Sequence, residues 1–127
     1  MKPFLVEQTE ITPKVVFDPA QNTFLVQGKS LPEDVKDFYV PLLKWVDEYI
    51  AQPNSNTHIV FDFEYFNTAS SKMILILLSK FREMHRSGVP VSVTWKYPQM
   101  DSEMEEAGEE FADILAIPFE MIPKPPR

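Results

Sequence analysis

The 127-residue chain contains no cysteine, which excludes a disulfide framework, thiolate catalysis and a cysteine-ligated zinc site. Glycine is almost as scarce. The three glycines, at positions 28, 88 and 108, are too dispersed for a dinucleotide fingerprint or a phosphate-cradling loop. No long hydrophobic run exists, and the opening "MKPFLVEQTE" has neither a membrane span nor a leader pattern. Basic residues are also in deficit, 12 against 19 acidic ones, for a net charge of −7. Such a field disfavours nucleic acid and anionic membrane, both of which reward clustered Lys and Arg. Proteins and small molecules remain as partners. The absent cysteines fit a reducing compartment, and a cytoplasmic location is expected.

What the chain does contain is core material, 44% hydrophobic and 13% aromatic. That is enough for one packed domain over residues 1–127, with 1–11 and 123–127 expected to be loose. "PKVVFDPAQNTFLVQGKS" reads as a β-hairpin, Val15 and Phe17 leading into a turn and Phe24 and Val26 leading out. "LPEDVKDFYVPLLKWVDEYIAQP" has helical spacing, with Pro41 marking either a kink or a late start. "THIVFDFEYF" alternates, which puts Ile59, Phe61, Phe63 and Tyr65 on one face and His58, Val60, Asp62 and Glu64 on the other. "SKMILILLSKFREMHRSG" is a second helix, stopped by Gly88. "VPVSVTWKY" alternates again. "DSEMEEAGEEFADILA" is an amphipathic helix with Met104, Gly108, Phe111 and Leu115 inside and Ser102 and Glu105 as a capping box. "PFEMI" is a short last strand. The predicted order is ββαβαβαβ, an α/β fold with a mostly parallel sheet and helices mainly on one face.

Catalytic and metal constellations do not emerge. Asp101, Glu103, Glu105, Glu106, Glu109 and Glu110 could bind a metal or a basic partner, but they are read as a solvated helix start, where carboxylates meet the positive end of the dipole. His58 and His85 are far apart in sequence, and nothing local brings them together. No nucleophile elbow and no spaced acid–base pair is present. No catalytic residue, metal ligand or cofactor is assigned.

The junction "EYFNTASSK", Glu64 to Lys72, is more informative. Three hydroxyls, on Thr68, Ser70 and Ser71, gather where a strand hands over to a helix. One cap needs only one side chain, and Asn67 or Thr68 could supply it. The second explanation is a phosphoacceptor, because a helix N-terminus stabilises an added anion. Composition and spacing alone leave the cap reading ahead.

This junction, with "FDP", "SLPED", "WVDEY", "VTWKY" and "LAIPFEMI", resembles the SiaC family of bacterial regulatory phosphoproteins over about residues 12–122. That family is similar to STAS domains, the fold of anti-sigma factor antagonists. The resemblance implies a non-enzymatic partner switch. A dedicated kinase would phosphorylate Thr68, a PP2C-type phosphatase would reverse this, and the unmodified form would bind and activate a diguanylate cyclase. ATP and magnesium would belong to the kinase. Asn67, Ser70, Ser71 and Lys72 would shape the phosphosite loop, and Tyr65 and Phe66 would offer an apolar docking surface. Ala69 departs from the pattern, standing where relatives are expected to carry serine. The alternatives are a constitutive interaction module and, less supported, a small-molecule or catalytic domain.

Overall fold

The computed structural model describes residues 1–125. Its elements run β1 (Phe4–Val6), β2 (Lys14–Asp18), β3 (Thr23–Ser30), α1 (Val35–Ala51), β4 (Thr57–Phe66), α2 (Thr68–Arg86), β5 (Val91–Pro98), α3 (Ser102–Leu115) and β6 (Phe119–Lys124). The strands form one six-stranded sheet in chain order. β1–β2 and β2–β3 are antiparallel, whereas β3–β4, β4–β5 and β5–β6 are parallel. The sheet is therefore mixed, which corrects the expectation of a mostly parallel one. The physical reason is connection length: short turns return the chain antiparallel, and only the helical crossovers permit parallel neighbours.

The order also gains a strand. β1 lies inside residues 1–11, expected to be loose, and zips along β2 with Leu5 opposite Val16. Pro123 and Lys124, placed in the loose C-terminal stretch, close β6. Residues 126–127 of that stretch lie outside the described residues.

Alternation explains the layering. Val15, Phe17, Phe24, Val26, Ile59, Phe61, Phe63, Val93 and Trp95 are buried and share one cluster with the inner stripes of all three helices. The intervening residues, among them Val16, Leu25, Val60, Asp62 and Lys96, are only partly covered on the opposite face. There Asp62 accepts from Gln27 Nε2 at 3.2 Å and is ion-paired with Lys124. α1 begins at an Asp34 cap and runs through the exposed Pro41. α2 stops where Gly88 adopts φ +102°, a left-handed value that favours glycine.

The third helix sits very close to the sheet. A Cβ on Gly108 would stand 2.5 Å from Trp95 Cδ1 and 2.7 Å from Met121 Cε. Glycine is required there by clearance, since the Trp95 indole is fully buried and donates to the Met104 carbonyl at 3.0 Å. The capping of this helix differs from the Ser102–Glu105 box read from the sequence. Asp101, one residue earlier, accepts from the Met104 amide at 3.1 Å. Glu105 instead accepts from the Tyr97 hydroxyl at 2.8 Å. That hydrogen bond, with burial and the charges of Glu105 and Glu109, pushes the Tyr97 pKa up.

Candidate functional site

At the β4–α2 junction the structure assigns each polar residue its own task. Asn67 is the cap: its side chain accepts from the Ser70 amide at 2.8 Å, and its carbonyl accepts from the Ser71 amide at 3.0 Å. Ser70 is fully buried. Its hydroxyl donates to the Ser30 carbonyl at 3.0 Å and accepts from the Ser30 hydroxyl at 2.8 Å. The Ser30 hydroxyl lies 2.6 Å from the Tyr39 hydroxyl, so β3, α1 and α2 meet at a buried polar node. Burial pushes the Tyr39 pKa up to about 12, with the two serine hydroxyls offsetting part of the rise. Ser71 is half-buried, and Lys72 is exposed one turn beyond Thr68.

Thr68 is what remains. It occupies the first position of α2, is exposed, and among the described residues its hydroxyl takes no protein partner. Neither helix capping nor core packing uses its oxygen. No acidic side chain stands in the first turn of α2, so the free amides there are not offset by a carboxylate of that turn.

Tyr65 and Phe66 exchange the places expected of them. Strict alternation would turn Tyr65 inward with Phe61 and Phe63. The β3–β4 register breaks instead: Gly28 pairs with Phe63, and Lys29 pairs with Tyr65, leaving Glu64 as an extra residue. The bulge reverses the phase. Tyr65 becomes 48% exposed, and Phe66 turns toward the core at 5.2 Å from Phe63 and 6.1 Å from Trp95. Tyr65 is thus free for docking, while Phe66 serves mainly as packing.

A groove of about 240 Å³ opens beside Thr68, lined by Tyr65, Phe66, Thr68, Asp101, Glu103, Met104 and Ala107. Its floor is apolar and its far wall carries two carboxylates. None of the α3 residues in this wall was singled out from sequence as part of a site. Asp101 and Glu103 looked like ordinary dipole compensation, because only the crossover through β5 brings them opposite Thr68. Ser30 and Tyr39 gave no local signal either. The histidines stay apart: His58 bonds Ser92 and Thr94 at 2.6 and 2.8 Å, and His85 accepts from the Val91 amide. Among the described residues no group of three or more His, Asp or Glu side chains is arranged to hold a metal ion, and no helix is long and apolar enough to cross a membrane.

The model of the SiaC family regulatory phosphoproteins matches residues 6–124. The chain belongs to the SiaC family. Its fold is shared with SiaC of Pseudomonas aeruginosa at a TM-score of 0.89 and 27% identity, over 98% of this chain and 100% of that one. A further structure, diguanylate cyclase SiaD in complex with its activator SiaC from the same organism, contains a chain similar at a TM-score of 0.89 and 26% identity, covering 95% of this chain and 99% of that one. An uncharacterised protein of Pseudomonas aeruginosa strain UCBPP-PA14 is 29% identical over 111 residues, covering 87% of this chain and 88% of its own length. The SiaC match spans every element from β2 to β6, including the junction, Thr68 and both walls of the groove.

Proposed function

We propose that this SiaC-family chain is a STAS-like, non-enzymatic partner switch with Thr68 as its phosphoacceptor. A dedicated kinase adds the phosphoryl group and a PP2C-type phosphatase removes it. The unmodified form binds and activates an effector, for which a diguanylate cyclase is the favoured class, making the protein part of c-di-GMP signalling and biofilm control in the cytoplasm. The observation that carries this reading is the division of labour at the junction. Asn67 caps and Ser70 ties, so the exposed Thr68 hydroxyl is left without a structural role. The similarity to the activator chain of the SiaD complex supports the effector class.

The geometry supports a charge mechanism. A phosphate on Thr68 adds about two negative charges beside the free amides of α2, which can stabilise it without unfolding the helix. The same dianion would stand beside the exposed Tyr65 ring. A partner docked there would have to desolvate it, and an unpaired buried charge is strongly disfavoured. Phosphorylation therefore releases the effector while the fold survives.

The test is to incubate the protein with the kinase and ATP, map the modified residue by mass spectrometry, and titrate a cyclase against both forms. Phosphate should map to Thr68, with Ser70 and Ser71 unmodified. Thr68→Ala should take no label, keep its melting temperature within a few degrees, and bind the cyclase constitutively. Undiminished label on Thr68→Ala would refute the acceptor. Equal cyclase binding by both forms would instead favour a constitutive module.

A further inference from the structure

The wall of the groove opposite Thr68 has a sign. Asp101 and Glu103 are its charged lining residues, and among the described residues no basic side chain lines it. Glu103, Glu106, Glu109, Glu110 and Asp113 extend the negative field along the exposed side of α3. A partner that reaches into the groove against this wall must either bury these carboxylates unpaired, which is strongly unfavourable, or answer them with cations. The apolar floor of Phe66, Met104 and Ala107 suits the aliphatic stem of an Arg or Lys. The exposed Tyr65 ring can cover a guanidinium.

Which partner supplies the cation follows from the sign of the switch. Phosphate on Thr68 would make the groove more negative, so a partner held there by a cation would be held more tightly after modification. An effector released by phosphorylation cannot depend on such a contact. The enzyme that installs the phosphate can, because it must approach the unmodified hydroxyl beside this wall. We infer that Asp101 and Glu103 form the docking determinant read by the kinase, which places a basic side chain in the groove. This rests on Thr68 being the phosphoacceptor. In the step itself the Thr68 oxygen forms a bond to the γ-phosphorus of ATP, the bond from that phosphorus to the β–γ bridging oxygen breaks, ADP departs, and the hydroxyl proton passes to a base of the kinase.

The experiment compares phosphorylation kinetics of the full chain, using a kinase preparation selected for transfer of radiolabel from ATP to the wild-type protein. Asp101→Asn with Glu103→Gln neutralises the wall, and Asn still caps α3. Glu106→Gln with Asp113→Asn removes the same charge from positions that do not line the groove. The first pair should raise KM about tenfold, leave kcat within about twofold, and flatten the rise of KM with salt. The second pair should leave KM within about twofold. Equal KM shifts in both pairs would reduce the effect to net charge and overturn the inference, as would a wild-type KM in the first pair. A fall in cyclase affinity with KM unchanged would assign the wall to the effector instead. If the wild-type chain is labelled at a residue other than Thr68, the proposed function fails first and the inference with it. Label confined to Thr68 with unchanged KM defeats the inference alone.

Discussion

The N-termini of α2 and α3 face each other across one groove and are built in opposite ways. α3 carries its own anions: Asp101 caps it, and Glu103 and Glu105 fill its first turn. α2 carries none. Its cap is the neutral Asn67, its first turn has no acid, and its tie to the body of the protein runs through the hydroxyls of Ser70, Ser30 and Tyr39. One helix start is compensated by sequence. The other carries no carboxylate of its own, which is the property the proposed phosphosite needs.

Alkali breaks the comparison most strongly. The folded pKa of Tyr39, about 12, lies above its ordinary value of 10.0, so the ionised form favours the unfolded chain. The stability contribution is complete below pH 10 and is lost as pH rises through 12, by about 3 kcal/mol in all. The raised pKa of Tyr97 acts in the same direction. Urea unfolding of wild type and Tyr39→Phe from about pH 8 to about pH 12 should show a shallower fall in the variant, which begins about 1 kcal/mol less stable through its lost hydrogen bond. Parallel curves would mean that the hydroxyl node does not hold the start of α2.

Cap removal is the next largest effect. Asn67→Ala and Asp101→Ala should each destabilise by about 1 kcal/mol, read as a lower denaturation midpoint at unchanged slope. The smallest effect sharpens the contrast. Asn67→Asp should stabilise by a few tenths of a kcal/mol at low salt, since the start of α2 is uncompensated, and the gain should fade as salt rises. No such gain is available at Asp101, where the charge already stands.

How far the sequence could be read follows the range of the interactions involved. The stripe of Met104, Gly108, Phe111 and Leu115 is a local period and is buried as read. β1 escaped because three residues are too few to show alternation, and its pairing depends on β2. The phase of Tyr65 was hidden for a different reason. The alternation continues in the sequence through Glu64, and only the register against Gly28 reveals the extra residue. The cap of α3 was misplaced by one residue because Asp101 and Ser102 are both good caps. At the candidate site, local chemistry marked the hydroxyl-rich junction and the resemblance singled out Thr68. The acidic wall comes from a separate helix and could be located only in three dimensions.

The close seat of α3 has a practical corollary. Gly108 lets the helix press onto Trp95, whose indole bonds the Met104 carbonyl while Met104 itself lines the groove. The other indole, Trp45, stacks on Tyr49 and donates to the Lys2 carbonyl. With Trp45 replaced by Phe, the indole emission of the protein would come from one chromophore joined by a single hydrogen bond to the floor of the groove. The molecule thereby carries an internal optical reporter, through which occupancy beside Thr68 could be followed in real time without a label.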